Sequence, residues 1–201
     1  MYLQSEKLYK AIKDDKIIIR PLLEEDQIQQ VSVDFRLGYD FLVSIQGREP
    51  FMDTSLINPK RKPINTFFQP TRRRIGESFI LHPNQTVLAN SLEYIKLPNN
   101  IFGTLSMRSS YSRLGITIST FIQPGYCGCI SLELTNLNKN SINLTVGAKI
   151  FQGRFVQLEG ESNYFNSKRK YLCQVRPKSS AVYDDEDLET LKMLWEESND
   201  F

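Results

Sequence analysis

Apolar and polar positions change period within the first twenty residues. Leu8, Ala11 and Ile12 recur at the spacing of one helical face, so a helix is predicted from a Ser5 cap to the Asp14-Asp15-Lys16 cluster. Beyond it, short runs rich in Ile, Val, Phe and Leu occupy residues 17–19, 31–35, 41–45, 79–81, 87–92 and 101–107. Four more follow at 116–122, 129–135, 141–146 and 149–158, with Pro, Gly and Asn between them. Each reads as a strand bounded by turns, and no internal repeat is visible. The expected fold is mainly β, a sandwich or jelly roll. In the run 129–135, alternation points Ile130, Leu132 and Leu134 one way and Ser131, Glu133 and Thr135 the other.

Two segments interrupt this pattern. Residues 58–74 carry Lys60, Arg61, Lys62, Arg72, Arg73 and Arg74 around Phe67-Phe68. They read as a solvated loop anchored by two phenylalanines, with phosphate or partner binding as the alternative. Residues 184–198 read as a helix with acidic residues in its first turn and Leu188, Leu191, Leu194 and Trp195 along one stripe. That stripe is expected to pack on the chain's own core or on a neighbouring subunit.

A length of 201 residues with 40% hydrophobic and 24% charged residues supports one core, so a single domain over 1–201 is expected. A formal charge of +2 is too small to bind nucleic acid or a membrane by bulk electrostatics, so any anion site must be local. No apolar run approaches the ~18 residues of a membrane span, and residues 1–7 lack the pattern of a signal peptide. A cytoplasmic location is the simplest expectation. Three cysteines, Cys127, Cys129 and Cys173, argue against a disulfide framework. Zinc nucleobase deaminases use H-x-E followed by P-C-x-x-C; here the single histidine is His82 and the paired cysteines are spaced C-x-C. No zinc site is expected.

The densest chemistry lies in Arg108-Ser109-Ser110-Tyr111-Ser112-Arg113-Leu114-Gly115. Two guanidinium forks, several hydroxyls and the N–H groups of a tight turn suit a polyphosphate. Pro124-Gly125-Tyr126 and the strand bearing Glu133 follow closely.

The order of these motifs resembles the trimeric dUTPase and dCTP deaminase superfamily, its deaminase branch in particular. The resemblance runs from Val31-Ser32-Val33-Asp34-Phe35-Arg36-Leu37-Gly38 through Glu77-Ser78-Phe79-Ile80-Leu81-His82-Pro83 and Leu92-Glu93-Tyr94-Ile95-Lys96-Leu97-Pro98. It continues through the Arg108 turn, Pro124-Gly125-Tyr126 and Glu133 to Lys170-Tyr171-Leu172-Cys173-Gln174. It implies a dUTPase-like distorted jelly roll or β-barrel with a helix at each end, and residues 164–201 as a C-terminal flap and terminal helix. It also implies a homotrimer that deaminates dCTP to dUTP and ammonia at sites shared between subunits.

By the same resemblance Glu133 is the proton-transfer carboxylate, Ser109 orients the water and Arg113 stabilises the carboxylate and developing charge. Arg108 and Ser110 would hold phosphates, and Tyr126 would lie near base and sugar. Tyr164, Lys170, Tyr171 and Gln174 would close over the triphosphate, with Mg²⁺ as its counter-ion. Two departures stand out. The hairpin from Gly115 to Pro124 is shorter than in the deaminases. Thr117 and Gln123 stand where dUTPases or bifunctional members carry aspartates, which disfavours diphosphatase activity. A nucleotide-binding protein with weak or no turnover is the second reading of these residues, and a dUTPase or bifunctional enzyme the third.

Overall fold

The computed structural model describes residues 1–46, 49–162, 164–166 and 169–199. Helix α1 (Ser5–Lys13) buries Leu8, Ala11 and Ile12 as the period requires. Its N-cap is Gln4 rather than Ser5. Ser5 is the first helical residue, with φ 46°, and its backbone N–H donates to Gln30 O. The entry to the helix is therefore tied by main chain, and no side chain caps it.

Twelve strands follow among the described residues. They are β1 (Ile18–Arg20), β2 (Val33–Arg36), β3 (Asp40–Ser44), β4 (Phe68–Arg72), β5 (Ser78–Leu81) and β6 (Thr86–Lys96). After β7 (Ile101–Met107) comes a single helical turn, α2 (Ser109–Ser112). Then come β8 (Ile116–Thr117), β9 (Phe121–Ile122), β10 (Cys127–Asn136), β11 (Ile142–Thr145), β12 (Lys149–Gln157) and helix α3 (Glu186–Asn199).

The strands form three sheets rather than one closed barrel: β4-β3-β6-β10-β8 with β1 on β6, β2-β12-β7-β9, and the pair β11-β5. Their inner faces share one apolar cluster from Leu3 to Phe155, in which Phe35 stacks on Phe151 and Phe41 on Phe79. Gly153 makes room for this packing, since a Cβ there would lie 2.8 Å from the Phe35 ring.

Two expectations change here. The basic segment 58–74 is not all loop: β4 pairs with β3 from Asp40↔Arg72 to Ser44↔Phe68. Pro70 is tolerated because β4 is an edge strand, with no second neighbour needing its N–H. The run 116–122 is not one strand either. β8 pairs with β10 in the six-stranded sheet and β9 with β7 in the four-stranded one, so residues 118–120 cross between sheets.

The motif pair around Arg36 and Glu93 has a clear structural purpose. Fully buried Glu93 accepts hydrogen bonds from Arg36 N at 3.0 Å and Gln27 Nε2 at 2.9 Å. Arg36 donates on to Gly147 O and Glu24 Oε2. Nearby, a Cβ on Gly38 would meet Asn90 O at 2.6 Å, so only glycine lets these backbones approach. No helix among the described residues is long and apolar enough to cross a membrane.

Candidate active site

Strand β10 turns Ile130, Leu132 and Leu134 into the core and leaves Ser131, Glu133 and Thr135 half-buried on the opposite face, as the alternation predicts. On that face lies a cavity of ≈ 400 Å³. Residues 120–123 form one wall, Phe68 of β4 and Leu88 of β6 another, and Tyr126 and Tyr164 also line it. The tail contributes Tyr171, Gln174, Pro177, Lys178 and Ser180. Among the described residues, Glu133 is its only carboxylate and Lys178 its only ammonium. The Glu133 Oε2 atom accepts a hydrogen bond from Thr120 Oγ1.

The aromatic lining is held by specific contacts. Tyr126 OH donates to Cys129 O at 2.6 Å, and burial raises its pKa far above the usual phenol range. Its ring meets Tyr164 edge-on at 5.8 Å. Tyr164 is 4% exposed, and burial raises its pKa too. Tyr171 OH accepts from Ala181 N at 2.8 Å, which holds the tail against itself.

Gln174 is 6% exposed, yet its Oε1 has no hydrogen-bond partner among the described residues, and the same holds for Ser131 Oγ. Both residues line the cavity. A buried polar atom left unpaired costs about 1–3 kcal/mol, so these two stand out beside a cavity lined largely by apolar and aromatic side chains. The tail docks through backbone: Gln174 O accepts from Cys129 N at 2.8 Å. Gly128, at φ 142°, permits this approach, because a Cβ there would sit 2.6 Å from that oxygen.

Of the residues singled out from sequence, Glu133, Tyr126, Tyr164, Tyr171 and Gln174 converge on this cavity. Arg108, Ser109, Ser110 and Arg113 do not line it. They follow β7 of the four-stranded sheet, whereas Glu133 stands in the six-stranded one. Arg108 is engaged by its own chain: Nε lies 3.4 Å from Asp34 Oδ2, and Nη1 donates to Lys149 O at 3.1 Å. Ser109, Ser110 and Arg113 are exposed. Lys170 also lies off the cavity; its ammonium pairs with Asp185, which raises its pKa. Thr120 and Lys178 carry no sequence signal that marks them as cavity residues. Ser131 could have been found, since it shares the alternating face of Glu133.

The sequence model described as "dCTP deaminase-like" matches residues 2–158. The chain belongs to the dCTP deaminase-like family. Among curated relatives, a "dCTP deaminase, dUMP-forming" of Methanobrevibacter smithii is 36% identical over 197 residues, covering 94% of this chain and 99% of the relative. A "dCTP deaminase" of Thermomicrobium roseum is 32% identical over 199 residues, covering 96% and 99%. Matches of that breadth take in the tail that brings Tyr171 and Gln174 to the cavity. Among solved structures, the 2'-deoxycytidine 5'-triphosphate deaminase from Agrobacterium tumefaciens aligns with a TM-score of 0.57 at 23% identity. The match covers 77% of this chain and 46% of that one, a likeness of fold.

Proposed function

We propose that this chain deaminates dCTP hydrolytically, releasing dUTP and ammonia. The observation that carries the reading is Glu133, the only carboxylate among the described residues of a largely apolar and aromatic cavity in a dCTP deaminase-like chain. Glu133 takes a proton from a water that attacks C4 of cytosine. The same carboxyl then returns protons to the ring nitrogen and to the departing ammonia. Aromatic walls give the base a flat surface.

The phosphates need cations, and among the described residues Lys178 alone supplies one to this cavity. Exposed Ser109, Ser110 and Arg113, on α2 and just after it, would then serve a neighbouring subunit of a homotrimer with shared sites. The nucleotide would arrive as its Mg²⁺ complex, with the ion held by triphosphate oxygens.

A second reading carries the reaction on to dUMP, the product that the name of the Methanobrevibacter smithii relative gives, with pyrophosphate released. Two positions weigh against it. Gln123 lines the cavity with an amide, and Thr117 sits in β8 paired to Thr135; neither is a base. Incubation with dCTP and, separately, dUTP, each with Mg²⁺, decides between them. The expected products are dUTP and ammonia from dCTP and none from dUTP. Pyrophosphate and dUMP would establish the second reading, and nucleotide bound without turnover would leave only binding.

A further inference from the structure

We propose that Thr120 is a positioning residue for the Glu133 carboxylate, an inference that rests on the deaminase reading above. Its hydroxyl donates to Oε2 of Glu133, leaving Oε1 to take a proton from water. The donor is itself well anchored. The next two residues, Phe121 and Ile122, form β9, paired to Thr104 and Gly103. Ile122 is 2% exposed and packs over Gly103, where a Cβ would lie 3.1 Å from the Ile122 Cβ. Thr120 thus ends the 118–120 crossing at the point where the chain becomes fixed to the four-stranded sheet, and it reaches back to the six-stranded one. A β-branched side chain at this position has few rotamers to lose, so the hydroxyl is held ready.

The hydrogen bond arrests rotation of the carboxylate. The short 115–124 segment therefore keeps a direct side-chain link to the reacting group.

The test compares Thr120→Val, which keeps the shape and removes the donor, with Thr120→Ser, which keeps the donor. For each, kcat and KM for dCTP, dCTP affinity and Tm are measured. Thr120→Val should lower kcat roughly ten- to hundredfold with dCTP affinity retained. Thr120→Ser should restore most of the lost kcat. Wild-type kcat in Thr120→Val would overturn the proposal, as would faster turnover, which would make the hydroxyl an obstruction. A wild-type chain that binds dCTP without deaminating it would defeat the proposed function itself, and the Thr120 role with it. Turnover in the wild type with an unaffected valine variant would defeat the Thr120 role alone.

A separate observation concerns the tail. Cys127 Sγ, buried at the start of β10, lies 2.7 Å from Sγ of exposed Cys173, which has φ 48°. The residue after Cys173 is Gln174, which lines the cavity. We infer that Cys127 and Cys173 form a site of thiol–disulfide exchange that ties the cavity-lining tail to β10. With a small-molecule disulfide as oxidant, the Cys173 thiolate attacks one sulfur and releases one thiol. Cys127 Sγ then displaces the second. Two protein thiols become one disulfide, the reagent is reduced to two thiols, and the cysteine protons end on those thiols.

Treatment of the full chain with oxidised glutathione, digestion without reduction and mass spectrometry test this. The expected result is a Cys127–Cys173 linked peptide that dithiothreitol removes and that is missing from Cys173→Ser. Amide exchange around residues 170–176 should slow in the oxidised protein. Thiols that stay free, a stable glutathione adduct on Cys173, or a linkage to Cys129 would each overturn the inference.

Discussion

Glu93 and Glu133 stand on the neighbouring strands β6 and β10 and have opposite surroundings. Glu93 is sealed inside, with its carboxyl pushed up to about 7 by burial against the opposing pull of bonds from Arg36 and Gln27. Glu133 faces a cavity. Because the folded chain holds the Glu93 proton more tightly than the unfolded chain, the stability from this group is full below its ordinary value of 4.5. It is lost as pH rises through about 7, by roughly 3 kcal/mol in total. Denaturant midpoints between pH 5 and pH 8 should therefore fall with pH in the wild type and flatten in Glu93→Gln. Glu133→Gln should instead abolish deamination while dCTP affinity, read by calorimetry, stays close to wild type; undiminished turnover would end the proposed mechanism. Sequence alone displayed both glutamates inside motifs but did not show which one is buried. Alternation tells inner from outer faces of one strand, whereas burial of Glu93 depends on Gln27 and Arg36 arriving from other elements.

At the scale of elements, strand period was legible where one face meets the core and the other does not, as in β10, β7 and β12. It failed at 116–122, where continuous β-type residues conceal a crossing between two sheets. Nothing in local propensity distinguishes a strand from two half-strands with different partners. The terminal helix was also legible, but its packing was not. Leu188 and Leu191 of α3 border a groove with residues 51–57, whereas Leu194 is 56% and Trp195 48% exposed in the single chain. With so little apolar surface buried, truncation after Asp185 should lower Tm by no more than about 4 °C, as calorimetry would show. A larger fall would mean that the stripe is covered in the assembled protein.

For the whole molecule, the separation of Arg113 from the cavity of its own chain becomes a statement about assembly. If sites are shared, Glu133→Gln and Arg113→Ala chains, each inactive alone, should complement when co-refolded. About one site in four of a random equal mixture would draw both intact residues, restoring up to about a quarter of wild-type turnover. No recovery would place both residues in one chain's site. By itself the sequence determined the β class, the inner and outer faces of β10, the ordered motifs of the family and the inventory of anion-binding groups. These follow from local spacing and residue chemistry, which a linear chain displays directly. Only the tertiary structure decided which groups meet. It brought Thr120 to Glu133, Cys173 to Cys127 and Gln174 to a cavity that also holds Phe68, and it left the Arg108 turn outside. Those contacts join residues from different sheets and from the tail, and their formation depends on how the sheets pack rather than on any pattern along the chain.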